Sequence, residues 1–306
     1  MTTVSVFGGT GFLGQCLVRR LDAKGTAVRV AVRHPDRARS ALRAAGLERV
    51  TVIGADIRDQ AAVAGAVAGA DAVVNAVSAY VDTRGVMFEA VHEQGATTVA
   101  REAAAAGVAR LVLVSGIGAD PASGSAYIRA RGRGERAVQQ AFPPATIVRP
   151  GAMFGRGDAL FGALADLAKR LPVLPLIGGG RTRLQPVFVE NVAEAIAHVL
   201  ADPATTGRTY ELAGPQVYTL RELIMIVLRI TGRRRALVPI PFAVAELQAR
   251  LFELLPNPPL TIGQVDLLKA DNVAGRTLPG LRELNIEPAS VEEIVPTYLG
   301  SPRKTQ

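Results

Sequence analysis

Three glycines near the amino terminus have the spacing of a dinucleotide-binding turn. They are Gly8, Gly11 and Gly14, and they lie between the β-branched run at 3–7 and a helical pattern of apolar residues. The first glycine permits a tight turn, the second lets the backbone approach phosphates, and the third lets the helix pack closely on the strand. Free N–H groups at the start of that helix would hold a pyrophosphate, which the helix dipole also favours. The alternative is a strand–helix turn without a ligand. The predicted contacts are Gly8, Thr10, Gly11, Phe12, Leu13 and Gly14.

The end of the second predicted strand bears on the choice between NAD and NADP. In NAD-selective folds an acidic residue at this place holds the ribose diol. Here Val30-Ala31-Val32 is followed by Arg33, and Arg37 lies one helical turn further on. A guanidinium can pair with a 2′-phosphate, which a carboxylate would repel. We therefore predict NADP(H) as the cofactor. The alternative is that Arg33 is simply a solvated strand end.

Further nucleotide contacts are expected at the carboxyl ends of the other strands, because ligands of parallel sheets bind at that edge. Asp56 and Ile57 follow the third predicted strand. Asp56 is placed to touch the adenine edge, and helix capping is its competing role. The remaining predicted contacts at strand ends are Ala76, Val77 and Pro150.

A serine and a tyrosine are the candidate catalytic groups. Ser115 closes the fifth predicted strand, and Tyr127 opens a helix in which Arg131 follows four residues later. That spacing puts Tyr127 and Arg131 on one helix face. The pattern resembles the short-chain dehydrogenase/reductase superfamily in its extended or atypical branch. The resemblance implies that the tyrosine protonates a carbonyl oxygen as hydride arrives, while a lysine lowers the tyrosine pKa and holds the ribose, and the serine orients substrate.

The sequence departs from the family pattern at one position, because residue 131 is arginine where the family has lysine. A guanidinium keeps the positive charge and can bond ribose hydroxyls, but its planar fork does not place the charge where an ammonium would. We expect the binding role to survive better than the catalytic one. Ser115, Tyr127 and Arg131 are therefore candidates both for catalysis and for cofactor contact.

Longer segments are similar to the nucleotide-binding accessory subunit of respiratory complex I and its bacterial relatives. The resemblance implies a protein that holds NADPH without established turnover and docks on subunits of a membrane respiratory complex. Relatives also include stand-alone reductases and proteins of quinone biosynthesis. The alternative is therefore an NADP-dependent reductase or isomerase of an apolar carbonyl or quinone-pathway substrate. The segments are 127–135, 145–158, 175–180, 184–193, 211–215 and 260–268.

The order of elements predicts an α/β fold built on a doubly wound parallel sheet of the Rossmann type. Repeated strand–helix units with short connections form such sheets through right-handed crossovers. After Pro150 the pattern loosens, so we predict a dinucleotide-binding domain over 1–150 and a smaller carboxyl-terminal α/β lobe over 151–306, interleaved with the first. Predicted strands are 28–32, 50–53, 72–76, 111–115, 146–148, 185–189 and 209–212. Predicted helices lie near 36–45, 59–68, 85–106, 126–141, 158–170, 190–200, 219–231 and 290–299.

Composition narrows the class of protein. The chain has 306 residues, with 49% hydrophobic and 20% charged, as in ordinary globular proteins. Its net charge is +8, but Trp is absent and Tyr and Phe are scattered, so we expect no nucleic-acid binding.

The single cysteine, Cys16, is expected to pack in the first helix. No uninterrupted apolar stretch reaches the roughly 18 residues of a membrane span, and the first residues already form a strand, so we expect no signal peptide. His92 and His198 lack metal-ligand spacing, and no metal site is predicted.

A basic cluster followed by an apolar helical face occurs at 233–255. Three arginines precede a segment in which positions 244, 247, 251, 254 and 255 are apolar at helical spacing. This pattern suits a membrane surface or a partner groove. Packing of the helix on its own lobe is the alternative. We expect a cytoplasmic protein, with a peripheral position on the cytoplasmic face of the inner membrane as one possibility.

Overall fold

The computed structural model describes residues 2–79, 87–255, 258 and 260–300. Its strands are β1 Thr3–Phe7, β2 Ala27–Val32, β3 Thr51–Gly54, β4 Ala72–Asn75, β5 Arg110–Val114, β6 Thr146–Pro150, β7 Met153–Phe154, β8 Val173–Ile177, β9 Arg183–Leu184, β10 Val187–Phe188, β11 Thr209–Leu212, β12 Tyr218–Thr219 and β13 Ala236–Ile240. Its α-helices are α1 Phe12–Ala23, α2 Pro35–Ala44, α3 Gln60–Val67, α4 Ala96–Ala105, α5 Ala126–Ala141, α6 Leu160–Arg170, α7 Val189–Ala201, α8 Leu220–Ile230, α9 Phe242–Phe252, α10 Ile262–Leu267 and α11 Val291–Leu299.

Seven strands form the central sheet in the order β11-β6-β5-β4-β1-β2-β3, and each neighbouring pair is parallel. β4 is buried along its whole length, which explains why its sequence is apolar without alternation. The chain builds outwards from β1 first through β2 and β3, and then in the other direction through β4, β5 and β6. The reversal lies between β1 and β4, where ligands of doubly wound sheets bind. The predicted fold class is confirmed.

The predicted helix at 85–106 differs from the observed structure. A π-helical segment at Ala90–Gly95 runs directly into α4. Positions 85 and 86 lie outside the described residues. β8, β13 and α10 form in stretches for which the sequence predicted no element, because short strands and a helix of under two turns carry little periodic signal.

The chain packs as two units. The first comprises the described residues up to Pro150, Val189–Leu212 and Arg276–Ile286. Residues 189–212 lie within the predicted second lobe, but they pack with the first unit because β11 pairs with β6 and α7 packs on α1. Cys16 is buried in α1, where burial raises the pKa of its thiol to about 11.

The second unit comprises Gly151–Phe188, Ala213–Gly275 and the described residues from Glu287 onward. Within the described part of this unit, the strands form two-stranded pairs: β7 with β10, β8 with β13, and β9 with β12. Its core gathers large apolar side chains of α6, α8 and α11 around Phe154 and Phe161. None of the described helices combines the length and the apolar character needed to cross a bilayer.

A buried ion-pair network ties three elements of the first unit together. Arg149 on β6 donates from Nε and Nη2 to the Glu135 carboxylate of α5, at 3.0 and 2.6 Å. Its Nη1 lies 3.6 Å from Oε1 of Glu211 on β11. Both glutamates are less than a tenth exposed. Hydrogen bonding to Glu135 raises the pKa of Arg149, so the cation persists at every relevant pH.

Replacing Arg149 with methionine should lower the free energy of unfolding by about 3 kcal/mol, because the change leaves two buried carboxylates without their cation. Urea unfolding followed by circular dichroism measures the loss. Lys169→Met is the control, since it breaks an exposed pair with Asp166 and should change stability far less. Equal small losses in the two variants would contradict the structural role of the network.

Candidate functional site

The glycine turn brings the start of α1 against the ends of β1 and β4. Gly8 has φ +80°, and a Cβ there would lie 2.8 Å from the Ala76 carbonyl oxygen. A Cβ on Gly14 would lie 2.1 Å from the Gly8 carbonyl oxygen. Gly11 is the N-cap of α1 and supplies no side-chain cap. The first N–H groups of α1 therefore lack a side-chain acceptor, as a phosphate-binding helix start requires.

A cavity of about 560 Å³ opens at this turn. Its volume falls in the range of small-molecule and cofactor sites. The cavity fits a dinucleotide because it joins the glycine turn to the ends of β2, β3 and β4 in a single crevice. The predicted contacts that line it are Gly8, Thr10, Gly11, Arg33, Arg37, Asp56, Ile57, Ala76 and Val77.

The other predicted contacts occupy different positions. Phe12 opens α1 and is half-buried, while Leu13 and Gly14 are buried in its first turn. Pro150 ends β6, where its carbonyl oxygen accepts a hydrogen bond from the Ile117 N–H at 3.1 Å. The backbone of Pro150 thus holds the loop that follows β5.

Arginines dominate the charge of the cavity. Arg33 lines it from the residue after β2, Arg37 from α2, and Arg58 from the loop after β3. Arg58 donates from Nε and Nη2 to the Asp56 carboxylate, at 3.0 and 2.7 Å. These hydrogen bonds, with the nearby charge of Arg33, hold the pKa of Asp56 below its usual range. Three guanidinium groups against one carboxylate make the site attractive to an anion.

Arg58 is a site residue that the sequence analysis missed, although its place two residues after Asp56 was a usable signal. The capping role considered for Asp56 is not observed. Instead, Asp59 is the N-cap of α3 and accepts a hydrogen bond from the Ala62 N–H at 3.2 Å.

The second group of candidate residues meets at the start of α5. Tyr127 is buried, and the guanidinium carbon of Arg131 lies 4.6 Å from its ring centroid. Nη2 of Arg131 also donates to Ser78 Oγ at 3.1 Å. The rings of Phe88 and His92 pack edge-on against Tyr127, each with centroids 5.4 Å away. The predicted shared helix face of Tyr127 and Arg131 thus becomes a stacked pair.

Gly116 makes room for the arginine. A Cβ at this position would lie 1.9 Å from Arg131 Nη1. The guanidinium in its observed position therefore occupies the space that a side chain at residue 116 would take. The sequence analysis did not connect Gly116 with Arg131, because nothing local relates them.

Ser115 supplies an unsatisfied polar atom beside this cluster. Its amide donates to the Val148 carbonyl at 2.8 Å, and the residue is 4% exposed. Among the described residues its Oγ has no hydrogen-bond partner. A buried hydroxyl without a partner is costly, so this atom fits a site that a ligand completes.

His92 contributes a neutral ring. Burial and, to a smaller extent, the charge of Arg131 together lower its pKa to about 4. Its Nε2 lies 3.0 Å from the Ala79 carbonyl oxygen. Within the described residues, no group of three His, Cys, Asp or Glu side chains is arranged to hold a metal ion.

Comparison with known proteins agrees with the geometry of the cavity. The model of a family described as NAD(P)H-binding matches residues 8–203. NADH dehydrogenase (ubiquinone) 1 alpha subcomplex subunit 9, mitochondrial, of Arabidopsis thaliana is 34% identical over 98% of this chain and 78% of its own length. The Mus musculus protein of the same name is 33% identical over 94% and 77%. A ceramide reductase of Caulobacter vibrioides is 33% identical over 78% and 73%.

Solved structures share the fold at lower identity. Triphenylmethane reductase of Citrobacter sp., complexed with NADP(H), superposes with a TM-score of 0.73 at 19% identity, covering 97% of this chain and 99% of that one. The dTDP-glucose 4,6-dehydratase DesIV of Streptomyces venezuelae, with NAD bound, gives 0.74 at 22% identity, covering 97% and 96%. These likenesses support the fold and do not distinguish NAD from NADP.

Gly14→Ala should abolish NAD(P)H binding and destabilise the protein, because its Cβ would collide with the Gly8 carbonyl oxygen. The matched control is Gly65→Ala in α3, where a Cβ meets nothing within 4 Å. This control should retain binding and gain about 0.5–1 kcal/mol, since alanine favours the helix. Urea unfolding and fluorescence titration measure both effects. Intact binding in Gly14→Ala would contradict the close packing of the turn.

His92 should make stability fall as the pH drops from about 6.5 to about 4. In the folded protein burial keeps its ring neutral, whereas the unfolded chain takes up the proton near its ordinary pKa of 6.5. The free energy of unfolding therefore has its full value above pH 6.5. It falls by on the order of 3 kcal/mol as the pH drops from about 6.5 to about 4. The measurement is urea unfolding against pH in wild type and His92→Gln, which should lack this part of the slope. His198→Gln is the control and should keep it. Parallel curves for wild type and His92→Gln would rule out the effect.

Proposed function

This chain belongs to the family of NADH dehydrogenase (ubiquinone) 1 alpha subcomplex subunit 9, and from that premise we propose that it is a non-catalytic, NADPH-holding accessory subunit of a respiratory NADH:quinone oxidoreductase. The observation that carries the proposal is identity of 34% over 98% of the chain to a protein of that name. The chain also belongs to the NAD(P)H-binding proteins. A position on the cytoplasmic face of the inner membrane, against other subunits of the complex, is part of the proposal.

The charge of the cavity supports NADPH over NADH. Arg33 and Arg37 stand at the end of β2, where an acid would hold a free ribose diol and repel a phosphate. Arg58 neutralises the nearby Asp56 through its two side-chain hydrogen bonds. A hydrogen bond from a guanidinium to a phosphate contributes roughly 1.5–3 kcal/mol. Residues 33, 37 and 58 would therefore select the phosphorylated ribose.

The geometry of Arg131 supports retention of the dinucleotide rather than catalytic turnover. When bound, the cofactor supplies a hydride, and reduction then needs a proton donor with a lowered pKa. The Arg131 guanidinium lies over the face of the Tyr127 ring and donates to Ser78. Its charge is thus delocalised and stacked, where the family's lysine would be a compact point charge. The arrangement keeps Tyr127, the family's proton donor, but lacks the ammonium that lowers the pKa of that tyrosine in the family.

A dinucleotide that does not react still has a physical role. At a free concentration of about 100 times its dissociation constant, a ligand adds about 2.7 kcal/mol to stability. Such a gain is a large part of the 5–15 kcal/mol typical of a folded domain. Selection for this role would keep the glycine turn and tolerate the loss of the lysine.

A second candidate function is an NADP-dependent reductase of an apolar carbonyl substrate. The observations that favour it are the likeness to a ceramide reductase and the unpaired Oγ of Ser115, which could bond a carbonyl oxygen. A substrate screen that follows NADPH absorbance decides between the two functions. Turnover that Tyr127→Phe abolishes would establish the enzyme, and absence of turnover on apolar carbonyls would support the accessory subunit.

Arg33→Ala should weaken NADPH binding by about tenfold to a hundredfold and leave NADH binding nearly unchanged. Only NADPH carries the 2′-phosphate to which the guanidinium would donate a hydrogen bond. Fluorescence titration of the apo-protein with each dinucleotide measures the ratio. Arg101→Ala on α4 removes an equal, exposed charge away from the crevice and should change neither affinity. Tighter binding of NADH by wild type would contradict the selectivity.

The chain should co-purify with the native respiratory complex. Extraction of membranes in mild detergent, followed by separation of intact complexes and mass spectrometry, measures this association. We expect the chain in the same fraction as the core subunits, because its relatives carry the name of a subunit of that complex. Recovery only from the soluble fraction, as a monomer or homo-oligomer, would contradict membership and favour the reductase.

A further inference from the structure

Helix α9 presents an apolar face that the described residues leave uncovered. Its other face packs through Ala245 and Ala249 against Val265 of α10. Val244, Leu247 and Leu251 are 44%, 60% and 59% exposed. The packing of this face on its own lobe, considered as an alternative from the sequence, is therefore not observed. The face continues beyond the end of α9 in two further exposed leucines, Leu254 and Leu255.

The strand pair that leads into α9 is also apolar on its outer side. In the parallel pair β8–β13, Val173 lies opposite Ala236 and Pro175 opposite Val238. These four residues are exposed, while the alternate positions of β8 are buried. Only Pro241 separates β13 from α9. We define the docking surface as the exposed side chains of this strand pair together with the exposed face of α9.

Arginines border this docking surface. Arg170 ends α6 shortly before β8, and Arg233 and Arg234 precede β13. Because β8 and β13 are parallel and start opposite each other, these arginines lie at the same end of the strand pair. Arg235 reinforces this arrangement, since its Nε donates to the Ala168 carbonyl at 2.9 Å. Arg250 adds a positive charge beside Leu247, which lies three residues earlier on α9.

The acidic groups near the docking surface carry less free charge than its arginines. Glu246 pairs with Lys269 at 2.9 Å, and Asp166 pairs with Lys169 at 2.9 Å. The Glu253 carboxylate accepts a hydrogen bond from the Ile262 N–H at 2.9 Å, which leaves its charge in place. Within the part of the chain that the structure describes, the guanidinium groups of Arg170, Arg234 and Arg250 form no ion pair with another residue. Three such cations against one carboxylate leave the docking surface with a net positive charge.

We propose that the docking surface seats this protein on a bilayer of anionic phospholipid. Exposed leucines and valines have a favourable place at the boundary between headgroups and acyl chains, and arginines beside them attract lipid phosphates. Both features occur together here, and the unpaired arginines outnumber Glu253, whose charge would oppose an anionic surface. The proposal refines the membrane position in the proposed function, but it concerns the purified chain alone and can fail or hold separately from membership of a complex.

Vesicle flotation tests the proposal with the full-length chain. Wild type should float with vesicles of phosphatidylcholine and phosphatidylglycerol, bind phosphatidylcholine alone at least about tenfold less well, and lose affinity as salt screens the charges. Leu247→Gln/Leu251→Gln should bind anionic vesicles at least about tenfold less tightly, because two apolar anchors are lost. Arg234→Gln/Arg250→Gln should bind about fivefold less tightly for each arginine removed.

Matched controls carry the same chemical changes elsewhere. Val217→Gln replaces another exposed apolar side chain, which is 44% exposed and directly precedes β12. Arg101→Gln/Arg208→Gln removes the same charge from the first unit. Both controls should bind vesicles as wild type does, and urea unfolding of every variant verifies that the fold of both units is kept.

Two results would overturn the proposal. One is wild type that does not float with anionic vesicles, or docking-surface variants that float as well as the controls. The other is a purified chain that does not bind vesicles but binds the detergent-solubilised complex through the same leucines. That result would assign the docking surface to a protein partner.

Discussion

The close approach of α1 to the ends of β1 and β4 is the constraint on which the rest of the structure depends. Gly8 and Gly14 leave no room for a side chain, so the helix start lies directly over the strand ends. This contact places the free N–H groups of α1 at the reversal of strand order, where the sheet opens a crevice. The arginines that follow β2 and β3 then lie along the same crevice. One steric requirement thus aligns the phosphate-binding turn with the charges that would select the ribose.

A second constraint links residues 116 and 131, of which Arg131 donates to Ser78 in the lining of the crevice. A guanidinium needs more space than an ammonium, and Gly116 provides that space. The arginine then stacks on the Tyr127 ring. The position that holds a catalytic lysine in the family therefore holds a packed guanidinium here. Burial keeps the neighbouring His92 neutral, so the cluster carries only the charge of Arg131 near Tyr127. This balance supports retention of a cofactor more than chemistry on a substrate.

The two units present different surfaces to anions. The cavity of the first unit is a concave crevice, and its arginines follow the ends of strands, where one of them is held by a carboxylate. The docking surface of the second unit presents exposed apolar side chains, with arginines at the margin. A concave site favours recognition of one phosphate at a fixed place, whereas an exposed apolar face with charge at its margin suits a broad, fluid surface. Part of the positive charge of the chain therefore lies at two different kinds of site.

The sequence alone determined the α/β alternation, the glycine turn and the amphipathic helix at α9, because each depends on steric demands or periodicity within a short stretch. Only the tertiary structure decided that β11 and α7 belong to the first unit, that Arg58 engages Asp56, and that Arg131 rests against Gly116. It also decided that the apolar face of α9 stays exposed. These outcomes depend on contacts between residues far apart in the chain or on competition among neighbours, and local sequence carries no record of which contact is lower in free energy.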